Sequence, residues 1–229
     1  MKMRKGMMVA LCLAFALSGH GQMEKGRLTI EPHVGMTIAN VIGSGSMGST
    51  GQVGFMGGAE LQYGISEWLS LSVGINYAQY GARDYGEHYM EVSGTGNYVY
   101  HDNHLDCRID YLTIPLSVAF HPCHGLSLNA GVQLGMRTKS TLKGMSKQYC
   151  SPNPNTLTGL WKTYDGMDIG DQLRSMDMGI PIGIGYEYKN VTLDARYLFG
   201  LLNVSKKEGV HLHNSAFMFT LGYKIPLHK

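Results

Sequence analysis

Residues 215–227, SAFMFTLGYKIPL, carry Phe217, Phe219, Leu221, Tyr223 and Ile225 on alternate positions, with Met218, Thr220, Gly222 and Lys224 between them. Alternation of period two, sustained over about ten residues, marks a strand with one bulky apolar side. The same pattern recurs at 27–38, 52–65, 68–79, 111–120, 126–137, 178–188 and 191–200, so eight strands are predicted. The links between them are alternately long and short. The short ones fall at 64–67, 121–125 and 188–190, the long ones at 40–51, 82–107, 138–176 and 203–213. Such links join antiparallel neighbours in an up-and-down meander, with every short turn at one end and every long loop at the other.

The second face of these strands decides where the apolar face points. It carries Glu31, Glu60, Arg137, Glu187, Asp194, Arg196 and Lys224, interleaved with many of the 31 glycines. The interior of an eight-strand barrel has room only for side chains, so small residues and mutually neutralising charges suit it. Hydrocarbon suits the rows of Leu, Ile, Val and Phe, and a tilted strand of about ten residues matches bilayer thickness. The expected fold is therefore all-β: an eight-stranded antiparallel up-and-down transmembrane β-barrel. The seven charged residues form its expected lumen network. A soluble lipocalin-like carrier, with the apolar stripe as its core, is the competing architecture.

Composition agrees with strands. Among 229 residues, Gly and the 14 Tyr are abundant and only 16% are charged, below the usual quarter. The N-terminus reads as a signal peptide over 1–21: Lys2, Arg4 and Lys5 precede the apolar run Met7–Leu17, then small residues lead to Gln22. Residues 22–229 form the barrel domain. Cleavage removes three cations and moves the formal charge from +2 to about −1, so basicity points to no nucleic-acid partner. No other run is apolar enough for a membrane helix.

Two stretches carry a family resemblance. SEWLSLSVGINYAQYGAR (66–83), then DYLTIPLSVAF (110–120) with Tyr111, Leu112, Ile114, Pro115 and Leu116, resemble the PorT-like outer-membrane β-barrel family of Bacteroidetes-type bacteria. GIGYEYKNVTLDARYLFGLLNVS (183–205) and FTLGYKI (219–225) resemble its last hairpin and closing strand. The resemblance implies an eight-strand barrel in the outer membrane. A role in protein secretion and gliding belongs to the founding member and is not carried over.

Candidate chemistry is sparse. His101 and His104 share one long loop, and His211 and His213 another, but no Cys or carboxylate spacing supports a metal site. No spacing links a particular Ser, His and acid, so no catalysis and no cofactor are expected. Cys107 and Cys150 both fall at the long-loop end, with Cys123 in a short turn opposite; Cys107–Cys150 is the expected disulfide. Tyr85, Tyr89, Tyr98, Tyr100, Tyr149, Trp161 and Tyr164 lie in or beside the two large loops, as partner-binding anchors or as an aromatic belt. The expected function is a non-catalytic, monomeric outer-membrane protein, exported by the Sec route. It meets lipid through its wall and a cell-envelope or secretion-related partner through its loops. A narrow channel, a lipid-modifying enzyme and the soluble carrier are the alternatives.

Overall fold

The computed structural model describes residues 25–44, 50–84, 88–92, 98–123, 125–151 and 158–228. The signal peptide expected at 1–21 lies outside them. The strands are β1 (Leu28–Ser44), β2 (Thr50–Ser66), β3 (Leu69–Arg83), β4 (His88–Val92), β5 (Tyr98–Cys123), β6 (Leu126–Ser151), β7 (Thr158–Asp168), β8 (Met176–Tyr188), β9 (Val191–Gly200), β10 (His211–Tyr223) and β11 (Ile225–His228). Eight of them close a ring of antiparallel pairs in the order β1-β2-β3-β5-β6-β8-β9-β10, and β10 pairs back onto β1. All eight predicted strands are staves of this ring.

Three features differ from expectation. First, the stretches 82–107 and 138–176 are mostly strand, not loop. β5 and β6 run for 26 residues each and stay paired from Cys123↔Leu126 to Tyr98↔Ser151. That length is roughly 85 Å of strand, about two and a half times what a bilayer requires. Yet among the described side chains, the exposed large apolar residues of β5 run from Ile114 to Phe120, and those of β6 from Leu128 to Met136 with Met145 beyond. The hydrocarbon band covers the lower part of each strand. The upper parts stand clear as an arm, which β4 and β7 widen into a four-stranded sheet β4-β5-β6-β7. Alternation in polar sequence is too weak a signal to reveal these extensions. Second, the closing strand stops at Tyr223. Lys224 turns inward, and β11 makes a separate pairing with the start of β1. Third, the arm fixes the cysteines apart, as described below.

Polarity is inverted relative to a soluble domain. Phe217, Leu193 and Ile182 are 51%, 57% and 50% exposed on the outer wall, while Glu31, Glu60 and Lys224 are buried inside. Exposed Tyr63, Trp68, Phe120, Tyr188 and Tyr223 collect near the short turns, where a ring of amphipathic aromatics meets the headgroups. Trp68 and Phe120 meet edge to face, with ring centroids 6.0 Å apart.

The short turns are built for their job. Lys189 and Asn190 adopt φ of +47° and +71°, the consecutive left-handed pair of a two-residue hairpin, and Asn190 Nδ2 donates to Lys224 O. Inside the wall, two glycines give the ionic residues room. A Cβ on Gly222 would lie 2.5 Å from Thr192 Oγ1 and 2.7 Å from Glu31 Oε1; one on Gly183 would lie 2.6 Å from Arg196 Cγ.

Candidate functional site

The lumen is layered from the short-turn end upward. At the bottom, alternate positions of β1, β2 and β9 bring four predicted charges together. Arg196 Nη1 and Nη2 donate to Glu60 Oε1 and Oε2 at 2.6 and 3.2 Å, and Arg196 Nε lies 3.5 Å from Asp194 Oδ1. Glu31 accepts from Thr192 Oγ1 at 2.7 Å. Lys224 Nζ donates to Glu187 Oε2 at 2.7 Å and forms a second pair beside the turn. Six of the seven predicted lumen charges thus share one layer. The polar interior there retains only voids of about 30 and 10 Å³, no larger than a water or two.

One contact in this layer escaped sequence reading. Ser70 Oγ lies 2.9 Å from His121 Nε2 and accepts from Gln62 Nε2 at 2.9 Å. Spacing could not reveal it, because β3 and the end of β5 are joined through a long excursion. Ser70 is fully buried, and its partners Gln62 and His121 line the 30 Å³ void.

Above lies a mixed layer. Tyr80 and Tyr111 pack at a tilt of 41°, with ring centroids 5.5 Å apart. Gln133 Nε2 donates to Tyr80 Oη at 3.0 Å. Asn214 Nδ2 donates to Tyr111 Oη at 3.2 Å and to Asp177 Oδ2 at 2.7 Å. Their polar tips satisfy one another, and their rings support the apolar residues overhead.

Arg137, the seventh predicted charge, does not join the lumen network; it sits higher, at the long-loop end. Its guanidinium donates to Gly170 O, Arg174 O and Ser140 Oγ at 3.1, 3.2 and 3.1 Å. Asp168 Oδ1 accepts from Ser140 Oγ at 3.0 Å and from the Gly170 amide at 2.9 Å. The Gly170 amide first, then the Ser140 hydroxyl, hold the Asp168 carboxyl below its ordinary value. Together these bonds latch the 3-10 turn Gly170–Gln172 against the barrel rim. Arg174 N to Val204 O (2.9 Å) and Lys206 N to Gln172 O (3.0 Å) tie that turn to the 201–210 loop.

The latched segment, the loop and the inner faces of β1, β3, β5, β6 and β10 enclose an open cavity of about 670 Å³ at the outer mouth. Val41, Ala82, Ile109, Leu142, Leu173 and Leu212 are among its walls. Sequence reading missed it. The available signal was the run of apolar residues at inward positions Leu105, Cys107 and Ile109, just before the wall strand changes to Tyr111.

The predicted disulfide does not form. Cys107 is a buried free thiol paired in register with Leu142, while Cys150 pairs with Val99, roughly 25 Å further along the arm. Cys123 is free and exposed. Of the predicted aromatics, Tyr85 lies outside the described residues. Tyr89 is on β4, Tyr98 and Tyr100 on β5, Tyr149 on β6 and Trp161 on β7. Tyr164, also on β7, stands under Lys162 Nζ, which is 5.1 Å from its ring centre. All six belong to the arm. Of the histidines, His104 Nδ1 meets Asp84 Oδ1 at 2.6 Å, and His33 is buried in the lumen. Among the described residues, no group of three or more His, Cys, Asp or Glu could hold a metal ion.

The chain is similar to several solved structures over most of its length. The attachment invasion locus protein Ail of Yersinia pestis matches at 14% identity and a TM-score of 0.44, over 88% of this chain and 99% of its own. Neisserial surface protein A matches at 14% and 0.43, over 86% and 97%. The N-terminal barrel domain of Pseudomonas aeruginosa OprF matches at 12% and 0.34, over 89% and 100%. No curated protein matches in sequence. The ring of inverted polarity agrees with the family model, an outer membrane protein beta-barrel domain, that matches residues 20–206, and the chain belongs to that family.

Proposed function

We propose that this chain is a non-catalytic, non-conducting outer-membrane protein that binds a cell-envelope or secretion-related partner at its outer end. The observation that carries the reading is the arm: β5 and β6 continue as one paired hairpin far beyond the apolar band, widened by β4 and β7. A structure this long adds nothing to crossing the membrane, and rigid scaffolds present recognition elements in this way. The long connections of such barrels face outward, so the arm stands on the cell surface. Tyr98-to-Tyr164 aromatics along it are suitable anchors.

Closure of the lumen by the Arg196–Glu60 and Lys224–Glu187 pairs argues against conduction. Complete burial of Ser70, with only a water-sized void next to its partner His121, argues against hydrolysis at the Ser70–His121 contact. Sec export, a monomeric state and a place in the PorT-like branch belong to the same proposal; the branch rests on Tyr111, Leu112, Ile114, Pro115 and Leu116.

The test is site-specific photo-crosslinking in intact cells, with p-benzoylphenylalanine at Tyr164 on the arm and at Trp68 on the opposite rim as reference. A discrete adduct from Tyr164, absent from Trp68, is expected. Absence of any Tyr164 adduct overturns the partner reading, and unit conductance steps from purified protein in planar bilayers favour the channel instead.

A further inference from the structure

The outer mouth has the wrong polarity for a water-filled vestibule. The interior of a membrane barrel is ordinarily polar, as the lower lumen of this one is. In the mouth, however, the walls facing the cavity are Val41, Ala82, Ile109, Leu142, Leu173 and Leu212. Apolar walls around about 670 Å³ of open space are unfavourable in water until something apolar covers them. The volume is that of a small-ligand site.

We propose that this cavity binds a free amphiphile with one long alkyl chain and a single carboxylate, taken from the medium. Three observations fix the class. The pocket is blind: one inward step below Ala82 on β3 and Ile109 on β5 come Tyr80 and Tyr111, whose rings, packed at a tilt, form the floor. A chain can enter and not pass through. The charged groups lining the cavity are Asp171, Lys206 and Lys207, which leave one surplus positive charge at the rim. Both lysines are exposed, and neither is ion-paired to a described residue. One anionic head is matched; a multiply charged saccharide-phosphate head meets Asp171. Finally, the lining contains none of the exposed apolar residues of the outer wall, so the bilayer has no side entrance. The ligand arrives from the outer solution.

The tail covers Ile109, Leu142 and Leu212, and the head stays at the 206–207 rim. The Arg137–Asp168 latch holds Ile169 and Leu173 in place as one wall. This inference rests on the reading that the outer end is the binding end. It does not require the protein partner.

The experiment uses the full mature chain in lipid nanodiscs and cis-parinaric acid as fluorescent probe, with empty nanodiscs as reference and the methyl ester of the probe as second ligand. A saturable signal above the empty discs is expected. K206Q/K207Q should weaken the acid roughly five- to tenfold and leave the ester unchanged, because only the head loses a partner. Leu142→Trp should weaken both by filling the tail space, with heat-dependent gel mobility confirming a closed barrel. The lysine variant is on the surface and remains informative if the tryptophan variant fails to close. A signal equal to that of empty discs overturns the site, and so does an acid curve that K206Q/K207Q does not shift. Either failure, with the Tyr164 adduct intact, removes the ligand and keeps the partner.

Discussion

Arg196 on β9 spans the lumen to Glu60 on β2, its Nη1 donating to Oε1 at 2.6 Å and its Nη2 to Oε2 at 3.2 Å. Two other staves, β10 and β1, separate these strands around the ring. The bridge therefore ties opposite parts of the wall, which no neighbouring-strand hydrogen bond does. Removing one partner leaves a buried charge with nothing to neutralise it, a loss of about 3–5 kcal/mol. Arg196→Met should lower the unfolding free energy, measured by guanidinium unfolding in lipid, by that amount and shift the midpoint down, and adding Glu60→Leu should recover most of it. Equal midpoints for the single and double variants would show that the pair contributes nothing beyond the space it fills.

The wall was legible in the sequence because a period of two is short-range and strongly driven: every outward position within the apolar band had to suit hydrocarbon. Pairing within the lumen was legible only as composition. Glu60 and Arg196 stood out as inward charges, but which met which depends on closure and stagger, and these emerge only in three dimensions. Arg137 shows the limit of parity. It lies on the inward face of β6, yet at the level of Tyr111, near the rim, where the backbone oxygens of 170 and 174 accept its hydrogen bonds. The arm and the mouth cavity were illegible for a further reason. Their strands are mixed in polarity, and the mouth is assembled from five staves and two connections that share no local pattern.

Phe217 tests the inverted polarity directly. It is 51% exposed, pairs with Ile38 and Tyr197, and packs its ring 4.6 Å from that of Tyr197 on the outer wall. Phe217→Arg puts a cation into hydrocarbon and should destabilise the barrel by about 2–4 kcal/mol if the residue lies near the midplane. Phe217→Leu should change little. Reversible unfolding in phospholipid vesicles measures both. Equal tolerance of Arg and Leu would place Phe217 in water and contradict the lipid-facing wall.

The cysteines provide an independent check on the arm's register. Cys107 and Cys150 cannot meet while β5 and β6 pair as Val99↔Cys150 and Cys107↔Leu142, because a disulfide spans Cα atoms no more than about 7 Å apart. Protein denatured in iodoacetamide without reductant should therefore show full alkylation of the Cys107 peptide by mass spectrometry. In the folded state, exposed Cys123 should react well before buried Cys107. An unmodified Cys107 peptide that alkylates only after reduction would demand a different register for the whole arm.

The latch on the cavity wall has a pH signature. The Gly170 amide and the Ser140 hydroxyl both donate to Asp168 Oδ1, and both favour the ionised carboxylate. Its folded value is thus below the ordinary 3.8. For a depressed carboxylate the stabilisation is fully present above the ordinary value and disappears as pH falls through the folded value. The Gly170 amide resonance should accordingly titrate with a midpoint below 3.8, and Asp168→Asn should abolish that titration. Arg137→Lys tests the other half. A single ammonium cannot reproduce the fork that reaches Gly170 O, Arg174 O and Ser140 Oγ together. Hydrogen exchange across 169–174 should then speed up while the lumen strands keep their protection. Unchanged exchange in that segment would mean that the tie from Lys206 N to Gln172 O and the Leu173–Ser205 bridge hold the wall without Arg137.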